Sequence, residues 1–347
     1  MMFIQILVGL FIFILTYLVF IIFSPWMKVE PQPFMKKSPR YNPPENREDF
    51  TCISEGETLH GWFYKSAGYD KKPCIIMSHG FCGTKEGIME KYAITFQEKG
   101  FHVITYDFRY FGQSSGEPRQ LYGGKYQFED LTRVIAYAKS RDDVDENKLI
   151  IWGTSAGAHL GIMAASTDNT IAGVIGQCGA YDTDADSHHQ IKQIGYGHFI
   201  KLFVHAQRDK GRSRFGLSPH MITAYGRPKT TAMFNLPGVF ENVEAISENN
   251  NSFINKLAAR SLFSPKAGNT VLAAKSVKCP VLFLRCLKDT LVAPNSQAKV
   301  VENLGPLATE KDYDIDHFEI YKDEHFKRAI RDQIDFIKDM ILNNDHF

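Results

Sequence analysis

Residues 149–161 read LIIWGTSAGAHLG, an apolar run of strand character that passes through glycines into a small-residue helical stretch. At the junction Ser155 has Gly153 two positions before it and Gly157 two positions after it. A strand that turns into a helix within so few residues crowds its own backbone, and side chains at those two places would collide with it. The segment fits G-x-S-x-G, a pattern that belongs at the carboxyl end of a strand entering a helix. Such a turn leaves the Ser155 hydroxyl exposed at a helix N-terminus, where developing negative charge is favoured. A serine N-cap, with glycines for close helix–strand packing, satisfies the same local pattern.

The surrounding chain decides what architecture can carry this turn. Apolar strand-like runs occur at residues 59–66 (an edge strand), 73–80, 101–108, 148–153, 171–179 and 280–289, with a short one near 313–315. Helical patterns lie between them at 84–100, 125–141, 156–166 and 295–304, and a last one begins at Asp323. Strands alternating with helices predict an α/β fold, a mostly parallel sheet flanked by helices, over residues 50–347. Strands covered on both faces should be continuous apolar runs, as these are. The alternation breaks between about Asp184 and Ala274, a polar, irregular stretch too long for a simple connection. It is expected to be a helical cap inserted over the top of the sheet.

A second feature stands at the N-terminus. Residues 3–23, FIQILVGLFIFILTYLVFIIF, carry no charge. At about 1.5 Å per residue they reach roughly 30 Å, the thickness of a bilayer's hydrocarbon core. A cleaved signal peptide should have a shorter apolar region behind basic residues, and a core helix should keep a polar face. The run is therefore expected to be a transmembrane anchor, followed by a Pro-rich and charged linker over residues 24–49. Lys28, Lys36, Lys37, Arg40 and Arg47 follow it and no Lys or Arg precedes it, which predicts a cytoplasmic catalytic domain. The six scattered cysteines, read as unpaired thiols, agree with a reducing compartment. Against this, Asn250-Asn251-Ser252 is a glycosylation sequon that would be accessible in a lumenal domain.

Composition narrows the chemistry. The chain has 40 basic and 39 acidic side chains, so it carries no electrostatic footprint for nucleic acid. The cysteines show no metal-ligand spacing, and neither a metal nor a cofactor is expected. What the sequence does supply, in order after Ser155, is an acid and a histidine at strand ends. Asp289 follows the apolar run at 280–286 and His317 follows the short strand near 313–315. Both would emerge at the same sheet edge as Ser155, with His317 taking its proton and Asp289 orienting the imidazole. Asp182, Asp184 or Asp186, after the preceding strand, are alternative acids, and His325 an alternative histidine. The turn Ser78-His79-Gly80-Phe81-Cys82-Gly83 follows another strand. The backbone N–H groups of Phe81 and Ala156 would form an oxyanion hole there. Cys82 beside it reads as a small buried thiol. The basic run Arg208, Lys210, Arg212, Arg214 reads as a solvated or ion-paired face, with lipid headgroups or an anionic substrate as the other reading.

From about Phe50 onward the sequence resembles the α/β-hydrolase superfamily. Within it, the likeness is to dienelactone-hydrolase-like and S15-peptidase-like serine hydrolases, including the fungal polyketide-transferase group. Asp107, Arg109, Gly112 and Ser114 match the superfamily's Asp-x-Arg-x-x-Gly-x-Ser turn, and KDTLVAP and HFEIY resemble its acid and histidine turns. The stretch GRPKTTAMFNLPG also resembles that group's cap. The resemblance implies an acyl-enzyme mechanism at Ser155. With the anchor, it leads to a membrane-bound serine hydrolase acting on an ester or thioester of a lipophilic acyl group. An acyltransferase with the same three residues and a non-catalytic membrane scaffold are the alternatives.

Overall fold

The computed structural model describes residues 1–34, 44, 46–68, 70–247 and 250–342. Lys36, Lys37, Arg40 and Glu45 of the expected linker lie outside the described residues. The chain begins with helix α1 (Met2–Phe23). A hairpin of β1 (Arg47–Ser54) and β2 (Glu57–Tyr64) follows. Its two-residue loop, Glu55-Gly56, has positive φ at both positions, +49° and +86°, the twist that suits a tight hairpin. Then come β3 (Lys72–Ser78), α2 (Ile88–Glu98), β4 (His102–Tyr106), α3 (Gly124–Lys139), β5 (Val144–Thr154), α4 (Ala158–Ala165) and β6 (Ile171–Gln177). The insertion holds α5 (Thr183–Ile194), α6 (Tyr196–Arg214), β7 (Met221–Tyr225), β8 (Ala232–Phe234), α7 (Val239–Ile246), β9 (Leu257–Ala258), a 3₁₀ turn (Ala259–Phe263) and α8 (Thr270–Ala273). The fold closes with β10 (Val281–Cys286), α9 (Ala298–Leu304), β11 (Ala308–Tyr313) and α10 (Asp323–Phe336).

Eight strands form one sheet in the order β1-β2-β4-β3-β5-β6-β10-β11. The β1–β2 and β2–β4 pairs are antiparallel and the remaining pairs are parallel. Helices α3, α4, α8 and α9 pack one on the next, while α2 packs with α10. The inner strands are buried along nearly their whole length, which is why they read as unbroken apolar runs. One polar network crosses this core. Gln177 accepts from Tyr92 Oη at 3.0 Å and from Gln333 Nε2 at 2.9 Å, and Gln333 accepts from Trp152 Nε1 at 2.8 Å. It ties α2, β5, β6 and α10 together through the Gln177 and Gln333 side-chain oxygens, while Gln177 Nε2 is buried without a partner among the described residues.

Two features depart from the sequence reading. The insertion, expected to be helical, also contains a three-stranded sheet, β8-β7-β9. Its strands span only two to five residues, too few to show a period. The expected linker is partly structured as well, since β1 starts at Arg47 and residues 29–34 lie against the insertion. Phe34 stacks on Phe253 and meets Phe240 edge-on, each at 5.3 Å, and Asn255 Nδ2 donates to Gln32 O at 2.8 Å.

Helix α1 is long and apolar enough to cross a membrane. Most of its side chains are exposed, but Ile21 and Ile22 are buried. They sit against α6, where Tyr17 Oη donates to Gln207 Oε1 at 3.0 Å. A helix ends with carbonyls that lack intrahelical partners. Here the Arg208 guanidinium donates to Ile21 O and, at 2.8 Å, to Ser24 O, and Arg212 Nη1 donates to Ile22 O at 3.3 Å. Two members of the basic run are thus engaged by α1.

Candidate active site

Ser155 sits directly after β5 with φ of +52°, a left-handed conformation costly for a residue with a Cβ. The crowding around it explains both glycines. A Cβ on Gly157 would lie 2.4 Å from His79 O and 2.7 Å from Ser78 O. One on Gly153 would lie 2.4 Å from Gly157 O. The helix that follows packs its start against the β3 turn, and the serine is pushed out over the sheet edge.

The ends of β10 and β11 supply the partners. His317 Nε2 lies 3.1 Å from Ser155 Oγ, and His317 Nδ1 lies 2.6 Å from Asp289 Oδ2. The other carboxylate oxygen of Asp289 accepts the Leu291 and Val292 N–H groups, both at 2.8 Å. Asp289 and His317 are buried. Burial of His317 disfavours its charged form, but the Asp289 carboxylate beside it outweighs that and leaves its pKa raised above the ordinary 6.5. A histidine so held presents an Nε2 lone pair to the serine when it is neutral.

The competing residues have other partners. Asp182 caps α5 by accepting from Asp184 N and Ala185 N, and pairs with Lys299 at 2.7 Å. Asp184 pairs with Lys266 at 3.1 Å. Asp186 accepts from Ser296 Oγ at 2.8 Å and Ala293 N at 3.1 Å, and burial raises its pKa to about 7. None of the three bonds to His317, and His325 is exposed on α10.

Phe81 and Ala156 border the same cavity as Ser155. The Phe81 carbonyl accepts from Tyr225 Oη at 2.7 Å, while its N–H donates to no other described residue. The loop that carries it is pinned from below. Lys85 is fully buried, its N–H and Nζ donating to the two oxygens of Asp107 at 2.8 and 2.6 Å. Ser114 Oγ in turn donates to Asp107 O at 2.6 Å. The Asp-x-Arg turn is therefore structural support for the loop beside Ser155. Burial raises the Cys82 thiol well above its usual range and makes it inert.

The cavity holds about 410 Å³, within the range of small-molecule sites. Phe81, Tyr122, Phe199, Leu202, Phe234 and Phe253 give it apolar walls drawn from both core and insertion. Two histidines that the sequence reading assigned no role also border it. His79 is buried and His159 half-buried, and desolvation lowers each to about 4, so both stay neutral. Their positions, beside the β3 turn and one helical turn after Ser155, were the available signal. Among the described residues no cluster of His, Cys, Asp and Glu could hold a metal ion.

Residues 73–318 match the family model for the alpha/beta hydrolase fold. The chain belongs to the α/β hydrolase family. This hydrolase is 33% identical over 300 residues to the quorum-quenching protein AidA of Acinetobacter baumannii, covering 86% of this chain and 97% of that one. It is 25% identical over 302 residues to polyketide transferase af380 of Aspergillus fumigatus, covering 84% and 98%. The crystal structure of the alpha/beta hydrolase GrgF from Penicillium superimposes with a TM-score of 0.71 over 85% of this hydrolase and 99% of GrgF, at 21% identity.

Proposed function

We propose that this α/β hydrolase is a membrane-anchored serine hydrolase that cleaves a carboxylic ester or thioester of a lipophilic acyl group. The observation that carries the reading is the relay Ser155–His317–Asp289, with contacts of 3.1 and 2.6 Å, beside an apolar cavity. Ser155 Oγ attacks the acyl carbonyl while His317 Nε2 takes its proton, and the Phe81 and Ala156 N–H groups receive the oxyanion. His317 then returns the proton to the leaving alkoxide or thiolate. Water, activated by the same nitrogen, attacks the acyl-enzyme and regenerates Ser155. Asp289 holds the Nδ1–H tautomer and stabilises the imidazolium. Transfer to an acceptor other than water uses the same groups, and the polyketide transferase relative favours that as the second reading.

Residues 3–23 act as the anchor, ahead of a linker and of a hydrolase domain that takes in β1 from Arg47. The docking of α1 on α6 supports an uncleaved helix, since a removed leader needs no carbonyl-capping arginines in the mature fold. The free cysteines and the basic flank support a cytoplasmic domain. Asn250 bears on this differently from the sequence expectation. It is half-buried, its Oδ1 accepting from Thr84 Oγ1 at 2.9 Å and Phe253 N at 3.0 Å, so it is poorly placed to carry a glycan on either side. Labelling with a fluorophosphonate tests the nucleophile. Ser155→Ala should lose both labelling and hydrolysis of ester and thioester chain-length series while keeping its melting temperature. Undiminished labelling of that variant rejects the mechanism.

A further inference from the structure

We propose that the outer face of α6 lies in the headgroup layer of the bilayer that α1 crosses, so that the enzyme rests on the membrane by its cap. The inference rests on the reading of α1 as an uncleaved membrane span, and it concerns a surface to which that reading assigns nothing.

Three observations converge. The first is distance. Tyr17, Ile21 and Ile22 of α1 already contact α6, Ile22 filling the space left by Gly211. From Tyr17 to the end of α1 is about 9 Å along the axis. A bilayer crossed by α1 therefore begins within a few ångströms of the C-terminal half of α6.

The second is the exposed face itself. Tyr196, Ile200 and Phe203 recur at helical spacing and all are exposed, Tyr196 at 68% and Ile200 at 60%. The run continues sideways, as Phe203 meets Phe263 edge-on at 5.3 Å. At the other end of α6, Phe215 packs on Phe23, the last residue of α1, at 5.6 Å, and the exposed Trp26 packs on Phe20. The two ends of α6 thus both carry exposed aromatic residues, and the one at Phe215 joins α1.

The third is charge. The exposed charged side chains of α6 are Lys201, Lys210 and Arg214, all basic. Its one acid, Asp209, is buried and paired with Arg260 at 2.8 Å. An apolar face flanked by cations and free of exposed acids is the pattern of a helix lying in an anionic interface. A second copy of this chain would cover the apolar residues but leave the three cations facing their own counterparts. The opposite face of α6 presents Phe199 and Leu202 to the cavity, so one helix separates the apolar pocket from the bilayer.

The test uses the full-length protein in vesicles of phosphatidylcholine with phosphatidylserine, in a Cys52→Ser background. An environment-sensitive dye is placed on Ile200→Cys, and for comparison on Ile53→Cys, which is exposed on β1. The proposal expects blue-shifted emission at 200, quenched by spin-labelled lipid, and neither effect at 53. A joint Lys201→Glu, Lys210→Glu, Arg214→Glu variant should lose most of that quenching. A joint Ile200→Glu, Phe203→Glu variant should turn over a vesicle-embedded long-chain ester several-fold more slowly, with hydrolysis of a soluble short ester unchanged. Equal emission at 200 and 53, in a chain that resists extraction by alkaline carbonate, overturns the proposal and leaves the anchor intact. Extraction of the chain by carbonate removes the anchor reading and this proposal with it. A shift at 200 that appears without lipid and grows with protein concentration also overturns it, in favour of a second copy.

Discussion

Replacing Gly157 by alanine tests the geometry of the serine turn with a single methyl group. The new Cβ would stand 2.4 Å from His79 O and 2.7 Å from Ser78 O, where ordinary contact begins at 3.4 Å. Both obstacles are backbone at the end of β3, so no side-chain rotation relieves them. The elbow and the β3 turn must part by about 1 Å, the difference between 3.4 and 2.4 Å. Gly157 has φ of −84°, a value alanine adopts freely, so the loss is crowding alone and not backbone strain. The displacement falls between Ser155 and the loop carrying Phe81, the two sides of the reaction centre. A misplacement of that size costs about a hundredfold in rate, or about 2.7 kcal/mol of transition-state stabilisation. Overpacking of this kind also destabilises a fold by about 1–3 kcal/mol. The assay is kcat/KM on a soluble ester beside a thermal melt. Parental turnover with an unchanged melt would show that the elbow is slack and refute the reasoning.

The remaining expectations concern the relay and the cap. Asp289→Asn leaves the hydrogen-bond geometry but favours the wrong His317 tautomer, with an expected loss of about 10⁴ in kcat. Asp186→Asn, whose partners are Ser296 and Ala293, should keep most of the activity, and the reverse ranking in initial-rate assays moves the acid to the earlier strand. With neutral His317 as the proposed base and its pKa raised, kcat/KM should climb with pH along a limb lying above 6.5, and Asp289→Asn should move that limb down. By linkage, the stability His317 gains from Asp289 is fully present below pH 6.5 and is lost as pH rises through the higher folded value, which melts across that range will read. Arg208→Ala removes the donors to Ile21 O and Ser24 O, leaving Ile22 O to Arg212, and should destabilise the cap by about 1–3 kcal/mol, seen as faster protease nicking between α5 and β10 at an unchanged soluble-ester rate.

The parts of this molecule that were legible in the sequence are those whose chemistry is local. A tight strand-to-helix turn demands Gly153 and Gly157 whatever the remaining chain does, and a doubly covered strand must be apolar throughout. The order of Ser155, Asp289 and His317 at strand ends then followed from the topology such strands impose. The insertion resisted because its order is non-local. β7 pairs with β8 and β9 from short segments, and β9 is anchored by Ala258 N donating to Gln120 O on the core. Phe34 and Val29 are isolated apolar residues in a Pro-rich stretch, and nothing nearby in the sequence marks the aromatic pocket that takes Phe34. The basic run on α6 was ambiguous for a related reason. Its spacing told nothing of which arginines meet α1, and the structure divides it, Arg208 and Arg212 inward and Lys210 and Arg214 outward.

That division bears on how α1 and the candidate site are coupled. Helix α1 reaches the protein through α6, and the described residues after it continue along the insertion as far as Phe34 before the hydrolase sheet begins at Arg47. The insertion therefore has two covalent joints to the core, beside β6 and β10, and a packed joint to α1. Phe199, Leu202, Phe234 and Phe253 of that same insertion enclose the cavity above Ser155. Any opening of the cavity requires these walls to separate from the β3 and β5 turns. Under the anchoring proposed above, a wall held at the membrane by α1 is not the moving part, and the sheet and its relay would swing beneath a stationary cap. Releasing the anchor contact, as in Arg208→Ala, would free the cap to move instead. The resulting change should show in the KM for long-chain esters, whose entry needs the wide opening, before it shows in kcat, which His317 and Asp289 set.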